Sequence, residues 1–473
     1  MSENFPAQEK KELKVEETNI PGLLVVHLPV HGDDRGWFKE NWQRQKMVAL
    51  GLPDFAPVQN NISYNAKKGA TRGIHTEPWD KFVSVDKGKI FAAWVDMRTG
   101  SEPNVFTLEM DASTAVFVPR GVGNSYQALE DDTVYTYLVN DHWTPNGKYT
   151  AMNLADKTAN INWPIPLDQA EISEKDKINP SYENAELVDS KKVLITGANG
   201  QLGLALQNYF PNAECVDLDS FNIADEQAYH SRHWKDYELI INAAAYTNVD
   251  GAETPEGRIT SWQANAHAVK LLAKTALENN ITLVHVSSDY VFNGTQVPHK
   301  EDEPFSPLSV YGESKAAGDI AASMAPKHYI MRTSWVVGKG KNFVKTMKEI
   351  AEKGVEPAVV NDQLGRLTFT DTLASAIKHL IENNAKFGTY NITNDGPVAS
   401  WADIAKIVYE KTGHNPDSVT GVSTEEYYKG KEPVAPRPLL SEMDLSKIKS
   451  TGFEPTSWEE ELNNYLEELK ESY

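Results

Sequence analysis

Residues 193–203 read VLITGANGQLG: a short apolar run, then glycines at Gly197, Gly200 and Gly203, then the start of an amphipathic stretch. That order describes a buried strand turning tightly into a helix. Glycine there lets the chain reverse and lets backbone N–H groups approach a pyrophosphate at the positive end of the helix. A glycine triplet alone says little, but one that leaves a buried strand directly marks a dinucleotide turn. Gly197, Asn199, Gly200, Gln201, Leu202 and Gly203 are therefore candidates to hold a cofactor.

Downstream the same rhythm repeats. YELIINAAA (237–245) precedes SWQANAHAVKLLAKTALENN (261–280), and ITLVHVSSDYVF (281–292) follows. Alternation of apolar strand and amphipathic helix is what a doubly wound parallel sheet of the Rossmann type requires. ECVDLDS (214–220) reads as its second strand, where Asp217 or Asp219 could accept hydrogen bonds from an adenine ribose, favouring NADH over NADPH. In VYGESK, Tyr311 and Lys315 are four apart and share a helix face. An ammonium beside a phenol stabilises the phenolate, so Tyr311 could deliver a proton to an alkoxide. Ser287 and Ser288, ending a strand, offer a hydroxyl to polarise a carbonyl.

Upstream, from about residue 20 to 165, the pattern differs. GLLVVHLPV, KFVSVDKGKIFAAWVDM, NVFTLEM, TAVFVPRGV and TVYTYLV alternate over short runs separated by turn signals such as HGDDRG and EPN. This predicts an all-β sandwich or barrel of antiparallel strands. The chain's 473 residues exceed what one core usually fills. Two domains are expected, 1–188 including a polar linker and 189–473.

Composition narrows the partners. A formal net charge of -21 disfavours nucleic acid and anionic membranes. One cysteine, Cys215, read as packing, excludes an internal disulfide and fits the reducing cytoplasm. The polar amino terminus has no apolar segment of the kind a leader or membrane span needs.

The second half resembles the extended short-chain dehydrogenase/reductase family and, within it, the dTDP-4-dehydrorhamnose reductases. The resemblance is carried by GANGQLG, INAAAYTNVDGAE, SSDYVFNG, SPLSVYGESKAAGD, RTSWVVG, NDQLGRLT and RPLLSEMD. It implies Ser288, Tyr311 and Lys315 as the catalytic set, Ser288 standing where a threonine is usual. It places Ala243, Ala244 and Ala245 beside NADPH or NADH, and Thr247, Val249, Asp289, Tyr290, Trp335 and Arg437 around a sugar nucleotide in a smaller substrate-binding lobe. The lesser alternative for Tyr290 and Trp335 is core packing. Leu367 stands where a proline is common.

The first half resembles the dTDP-4-dehydrorhamnose 3,5-epimerases, a cupin-like jelly-roll family, through DDRGWFKE, VQNNISYN, GATRGIH, KFVSVDKGKIFAAWVDMR, VPRGVGNSYQALEDD, YLVNDHW and ISEKDK. Protons beside a ketone are acidic because the carbanion is an enolate, so epimerisation needs a base, an enolate stabiliser and an acid on the opposite face. The resemblance implies His75 as base, Asp176 as its orienting carboxylate, Lys81 as the charge at the oxyanion and Tyr137 as the acid. Arg35, Glu40, Gln59, Asn61 and Arg72 would hold the diphosphate and thymidine, and Trp143 would stack where a tyrosine is common. Asn124 stands where a histidine is usual, and an amide cannot carry full positive charge. His75 with only Glu77 nearby offers too few ligands for a metal, and none is expected.

Together these imply a bifunctional enzyme, isomerase and oxidoreductase, of dTDP-L-rhamnose synthesis, paired as a homodimer through its first domain. The alternative is an active reductase whose first domain epimerises one carbon only, or only binds and dimerises.

Overall fold

A computed structural model describes residues 12–144 and 149–471. Most of the amino-terminal stretch read as lacking a leader lies outside the described residues. The chain divides into two compact units, Met1–Lys191 and Lys192–Tyr473. Val188 is buried and bridges to Arg98, which keeps it within the first unit.

The first unit is two sheets. One runs Lys14–Glu17, Leu24–His27, Thr114–Val118, Lys81–Lys87, Thr133–Val139, Gln59–Asn65, every neighbour antiparallel. The other runs Thr150–Ala151, Ala70–Thr76, Val122–Ala128, Ile90–Asp96, Val105–Met110. Inward side chains of both, among them Val83, Val85, Val116 and Tyr135 from the first and Ile90, Trp94, Val122 and Tyr126 from the second, make one core. This is the expected jelly-roll-like sandwich. The polar stretch that reads as a linker instead folds onto it. Glu171–Ile172 pairs parallel to Ala70–Thr76, and the short helix Glu174–Lys177 follows, capped by Ser173.

The second unit is a six-stranded parallel sheet in the order Glu214–Val216, Lys192–Thr196, Tyr237–Asn242, Thr282–Ser288, His328–Thr333, Gly388–Asn391. Its strands are apolar on both sides, with separate cores above and below. Leu194, Ile240 and Leu283 pack with Val269 and Leu272 on one face; Ile195, Ile241 and Val284 pack with Leu206, Leu373 and Ile377 on the other. The second strand lies on one side of the first and the third on the other, so a crevice opens at their carboxyl ends. A third core gathers Val344, Met347, Leu367, Ile404, Val408 and Trp458 around short strand pairs, forming the smaller lobe.

Two local expectations fail. Cys215 is exposed rather than packed, because Glu214–Val216 is an edge strand and only Val216 of its neighbours turns inward. The stretch 261–280 is not one uniform helix: Pro255–Trp262 passes through a π turn, Gln263–His267, before Ala268–Asn279. Among the described residues no helix is long and apolar enough to cross a membrane.

Candidate functional site

Each unit carries its own site. In the first, strand Ala70–Thr76 pairs with Val122–Ala128 so that His75 lies opposite Asn124 and Arg72 opposite Tyr126. Three residue steps on one strand therefore match two on the other, a β-bulge at Gly73 and Ile74. Asn124 and Tyr126 share a face, so the extra residue places His75 and Arg72 on that same face rather than on opposite ones. Gly73 takes φ +116, and a Cβ there would stand 2.6 Å from Ser125 Cβ, so only glycine fits.

Asp176 Oδ1 is 2.7 Å from His75 Nε2, and its other oxygen accepts from the Gly73 N–H at 3.4 Å. Burial pushes the Asp176 carboxyl up, but the hydrogen bond and charge of His75 outweigh it and leave Asp176 below its ordinary value. The imidazole is left half open at 41% exposure, while the carboxylate behind it is closed off at 6%. That is the arrangement of an oriented base.

The opposite sheet supplies Lys81 and Tyr137. Lys81 is buried, forms an ion pair with Glu77, and sits 5.8 Å from the Tyr137 ring centroid. Glu77, weighed in the sequence only as a metal ligand, is thus the counter-charge of Lys81. Burial raises the Tyr137 phenol, the Glu77 charge adds to this, and Arg72 opposes it. The Asn124 Oδ1 accepts from the buried Tyr135 hydroxyl at 3.2 Å, which orients the amide and leaves its N–H groups for another partner.

The expected nucleotide contacts divide. Arg72 bonds Asn65 Oδ1 at 3.1 Å beside the cluster, and Gln59 bonds Asn61 at 2.8 Å on one strand. Arg35 and Glu40 stand apart on exposed chain, paired with Asp33 at 2.5 Å and Lys46 at 2.6 Å. Trp143 is exposed and stacks on Tyr149 at 6.1 Å. Among the described residues no three His, Cys, Asp or Glu side chains gather as a metal-ligand set.

In the second unit the glycine turn sits at the crevice between first and third strands. Gly197 takes φ +67, where a Cβ would meet Ala244 N at 2.6 Å; at Gly203 a Cβ would reach Gly197 O at 2.2 Å. This shaves the turn bare beside Ala243, Ala244 and the exposed Ala245, at the start of helix Gln201–Tyr209. A pyrophosphate fits such a cradle, which offers backbone amides and no side-chain bulk. Asp217 Oδ2 accepts from Asn199 N at 2.9 Å, so it braces the turn itself, while Asp219 is exposed. Gln201 ties the turn to the distant loop after Val336–Val337, accepting from Gly338 N at 2.8 Å; Leu202 is buried behind it.

Tyr311 and Lys315 lie on helix Val310–Ala322, started by a Ser309 cap, and both are buried, as is Ser288. Lys315 Nζ donates to Val286 O at 2.7 Å. Burial pulls the ammonium down to about 8, with Asp319 opposing, and pushes the Tyr311 phenol up to about 12, with Ser288 opposing. Ser288 Oγ donates to Asp289 Oδ1 at 3.0 Å, and burial raises that carboxyl to about 6 against hydrogen bonds from Ser441 and Ser288. Ser287 is buried beside Asp319 instead.

Around Tyr311 the structure gathers several expected contacts. Tyr290 meets it edge to face at 5.4 Å, and Val249 packs in the same small cluster. Thr247 is exposed close by in sequence. Arg437 donates to Asp250 at 2.8 Å and to Ala435 O at 2.8 Å. Trp335 takes φ +45 and stacks on Trp401 at 3.8 Å, joining the smaller lobe's core. Leu367, in place of a proline, is fully buried in that core.

Two residues escaped the sequence reading. Asp250, inside the quoted INAAAYTNVDGAE, anchors Arg437. Asn265, in the π turn, grips the Tyr246 backbone in both directions, at 2.8 and 3.0 Å. A polar residue on the buried side of an amphipathic helix was the available signal.

Comparison with known proteins agrees with this division. The model of the RmlD substrate binding domain matches residues 191–471, and that of dTDP-4-dehydrorhamnose 3,5-epimerase matches residues 17–184. Over 180 residues the chain is 47% identical to a protein RmlC homolog of Streptococcus pyogenes serotype M6, covering 36% of this chain and 90% of that protein. Over 286 residues it is 37% identical to the spore coat polysaccharide biosynthesis protein SpsK of Bacillus subtilis, covering 59% of this chain and 97% of that one. A crystal structure of dTDP-4-dehydrorhamnose reductase from Bacillus anthracis in complex with NADP superposes with a TM-score of 0.54 at 34% identity, covering 59% and 99% of the two chains. With the cradle, the Tyr311 and Lys315 pair and the His75 and Asp176 pair each in the matching half, the chain belongs to the RmlD reductase family by its second unit and to the dTDP-4-dehydrorhamnose 3,5-epimerase family by its first.

Proposed function

We propose that the chain carries out two consecutive steps of dTDP-L-rhamnose synthesis: 3,5-epimerisation of dTDP-4-dehydro-6-deoxy-D-glucose, then reduction of the resulting dTDP-4-dehydro-L-rhamnose. The observation that carries the reading is the coexistence, in one chain, of an oriented half-open histidine and a buried tyrosine–lysine pair beside a dinucleotide cradle.

In the first unit His75, held by Asp176, removes a proton from the carbon next to the ketone. The electron pair moves onto the ketone oxygen, where Lys81 and the Asn124 amide stabilise it. Tyr137, on the opposite sheet, returns a proton from the other face. Arg72, Gln59 and Asn61 hold the nucleoside diphosphate; Arg35, Glu40 and Trp143, which stand on exposed chain apart from that cluster, would add to the grip from outside it.

In the second unit the bound cofactor, NADPH or NADH, supplies hydride to C4. The NADP complex of the Bacillus anthracis relative supports the first and the carboxylates of Asp217 and Asp219 support the second. Ser288, its hydroxyl turned from Asp289 to the ketone oxygen, donates to it, Tyr311 gives it a proton, and Lys315 stabilises the phenolate left behind. Tyr290, Val249, Thr247, Asp289 and Arg437 shape the sugar-nucleotide side, and Trp335 shapes it from the smaller lobe.

The first unit would pair with a second copy of the chain, and exposed Trp37, Phe38, Ile62 and Tyr64 support a covered face there. The lone cysteine and the need for reduced cofactor support a cytoplasmic location.

A coupled assay in deuterated water tests the whole reading. With substrate and no cofactor, deuterium should enter C3 and C5; with NADPH or NADH added, dTDP-L-rhamnose should form. Absence of exchange removes the epimerase. Exchange at C3 alone supports the alternative in which the first unit epimerises one carbon only.

A further inference from the structure

The least explained part of the second unit lies behind Lys315. One turn further along the same helix face stands Asp319, 1% exposed, and Lys315 itself is 2% exposed. Burying one charge is costly unless it is paired, and here three charged side chains are buried together. Arg332, on strand His328–Thr333, donates through Nε to Asp319 Oδ2 at 2.9 Å and through Nη1 to Glu301 O at 2.9 Å. Its guanidinium lies 5.1 Å from the ring centroids of both Phe292 and Phe305, so it has little freedom to move. Asp319 is thereby pinned from the sheet side, while its Oδ1 accepts no hydrogen bond from a protein group among the described residues.

Around that carboxylate, besides Arg332, stand His285, Ser287 and Lys315. His285 Nε2 stands 3.9 Å from Oδ1, and its ring is held at Nδ1 by Asn242 at 3.1 Å. Burial, aided by the Lys315 charge, pulls His285 well below its ordinary value, so it sits there uncharged. Ser287 faces Asp319 from the same strand as His285. Lys315 spends one proton on Val286 O and keeps two for other partners. The other ionisable groups that face Lys315 or Tyr311 are Asp289, beyond Ser288, the Tyr290 phenol, edge to face with Tyr311 at 5.4 Å, and the Tyr311 phenol itself.

We propose that Asp319 is a positioning residue of the reduction: pinned by Arg332, it balances the buried ammonium of Lys315 and keeps it charged and directed at Tyr311. This role rests on the assignment of Tyr311 and Lys315 made above. Without Asp319, the ammonium would have Arg332 and no carboxylate behind it. Without Arg332, burial would hold the Asp319 carboxyl higher still, but Lys315 would also lose a neighbouring buried cation, which favours its charged form. The two partners therefore push the working range of Lys315 in opposite directions, which a purely structural ion pair would not do.

The test is the pH profile of kcat for reduction of dTDP-4-dehydro-L-rhamnose by NADPH on the full chain, from about pH 6 to about pH 10. The parent should be active below, and lose rate above, a midpoint of about 8, where Lys315 gives up its proton. In Asp319→Asn that midpoint should fall by about one pH unit, making the rate about tenfold lower than the parent's on the alkaline side, with KM changed less than about twofold. Asp319→Glu should restore the parent midpoint, and Arg332→Gln should raise it. A profile of Asp319→Asn that is lower at every pH but has an unmoved midpoint overturns the proposal. Should Asp319→Asn not fold, Arg332→Gln decides: an upward shift supports the role, and an unmoved or lowered midpoint overturns it. Failure of the parent chain to reduce the ketone would instead remove the reductase reading, so the two failures are distinct.

Discussion

In the first unit the base His75 is half open, and the working groups are steadied by contacts: His75 by Asp176, the buried Lys81 by Glu77, the Asn124 amide by Tyr135. In the second they stand on a buried helix face, and desolvation does most of the adjustment, lowering Lys315 and raising Tyr311 and Asp289. The difference follows from the chemistry proposed. Epimerisation exchanges protons with water and needs a base that water can reach. Hydride transfer must exclude water, and a closed site makes each remaining charge act more strongly.

The largest expected effect separates the two halves directly. Tyr311→Phe should lower reduction by about a hundredfold to ten-thousandfold and leave deuterium exchange at C3 and C5 untouched, and His75→Ala should do the reverse. If either variant lost both activities after folding normally, the two sites would not be independent. Gly203→Ala should act on the second unit alone and more moderately. Its methyl group would press on Gly197 O, costing about 1–3 kcal/mol of stability and weakening cofactor binding, measured by thermal unfolding and by NADPH fluorescence titration.

The smallest effect belongs to the first unit in acid. Asp176 is held below its ordinary 3.8, so it contributes stability that is present above that pH and lost as pH falls through its lower native value. Thermal unfolding of the full chain should show the parent ahead of Asp176→Asn at neutral pH and that advantage vanishing in strong acid. An advantage that persisted there would mean that Asp176 matters through packing, not through charge.

How much of this could be read in the sequence differed between the units as well. In the second, strand, turn and helix are local events, and VLITGANGQLG with VYGESK placed the cradle and the Tyr311 and Lys315 pair without knowledge of the fold. What stayed hidden there was long-range: the link from Arg332 to Asp319, thirteen residues away, and the grip of Asn265 on Tyr246. In the first unit the alternation of apolar residues announced strands but not their register. Asp176 lies in a polar stretch with no period, and only the parallel pairing of Glu171–Ile172 with Ala70–Thr76 carries it to His75. Cys215 was misjudged because an edge strand and a central strand of three residues look alike.

The extra residue at Gly73 and Ile74 has a consequence for how this half can change. In a regular strand, residues three apart point to opposite sides, so Arg72 would grip a phosphate on one side of the sheet and His75 would work on the other. Because one residue is looped out between them, the proposed binder and base face the same side of the sheet. The distance along the chain between them is therefore a setting of parity as well as of length. Straightening the strand without shortening it would leave every side chain of the site intact and turn one of the two away from the sugar. Removing the looped-out residue together with the bulge would leave the two residues two apart in a regular strand and again on one face, so spacing and bulge can change only together.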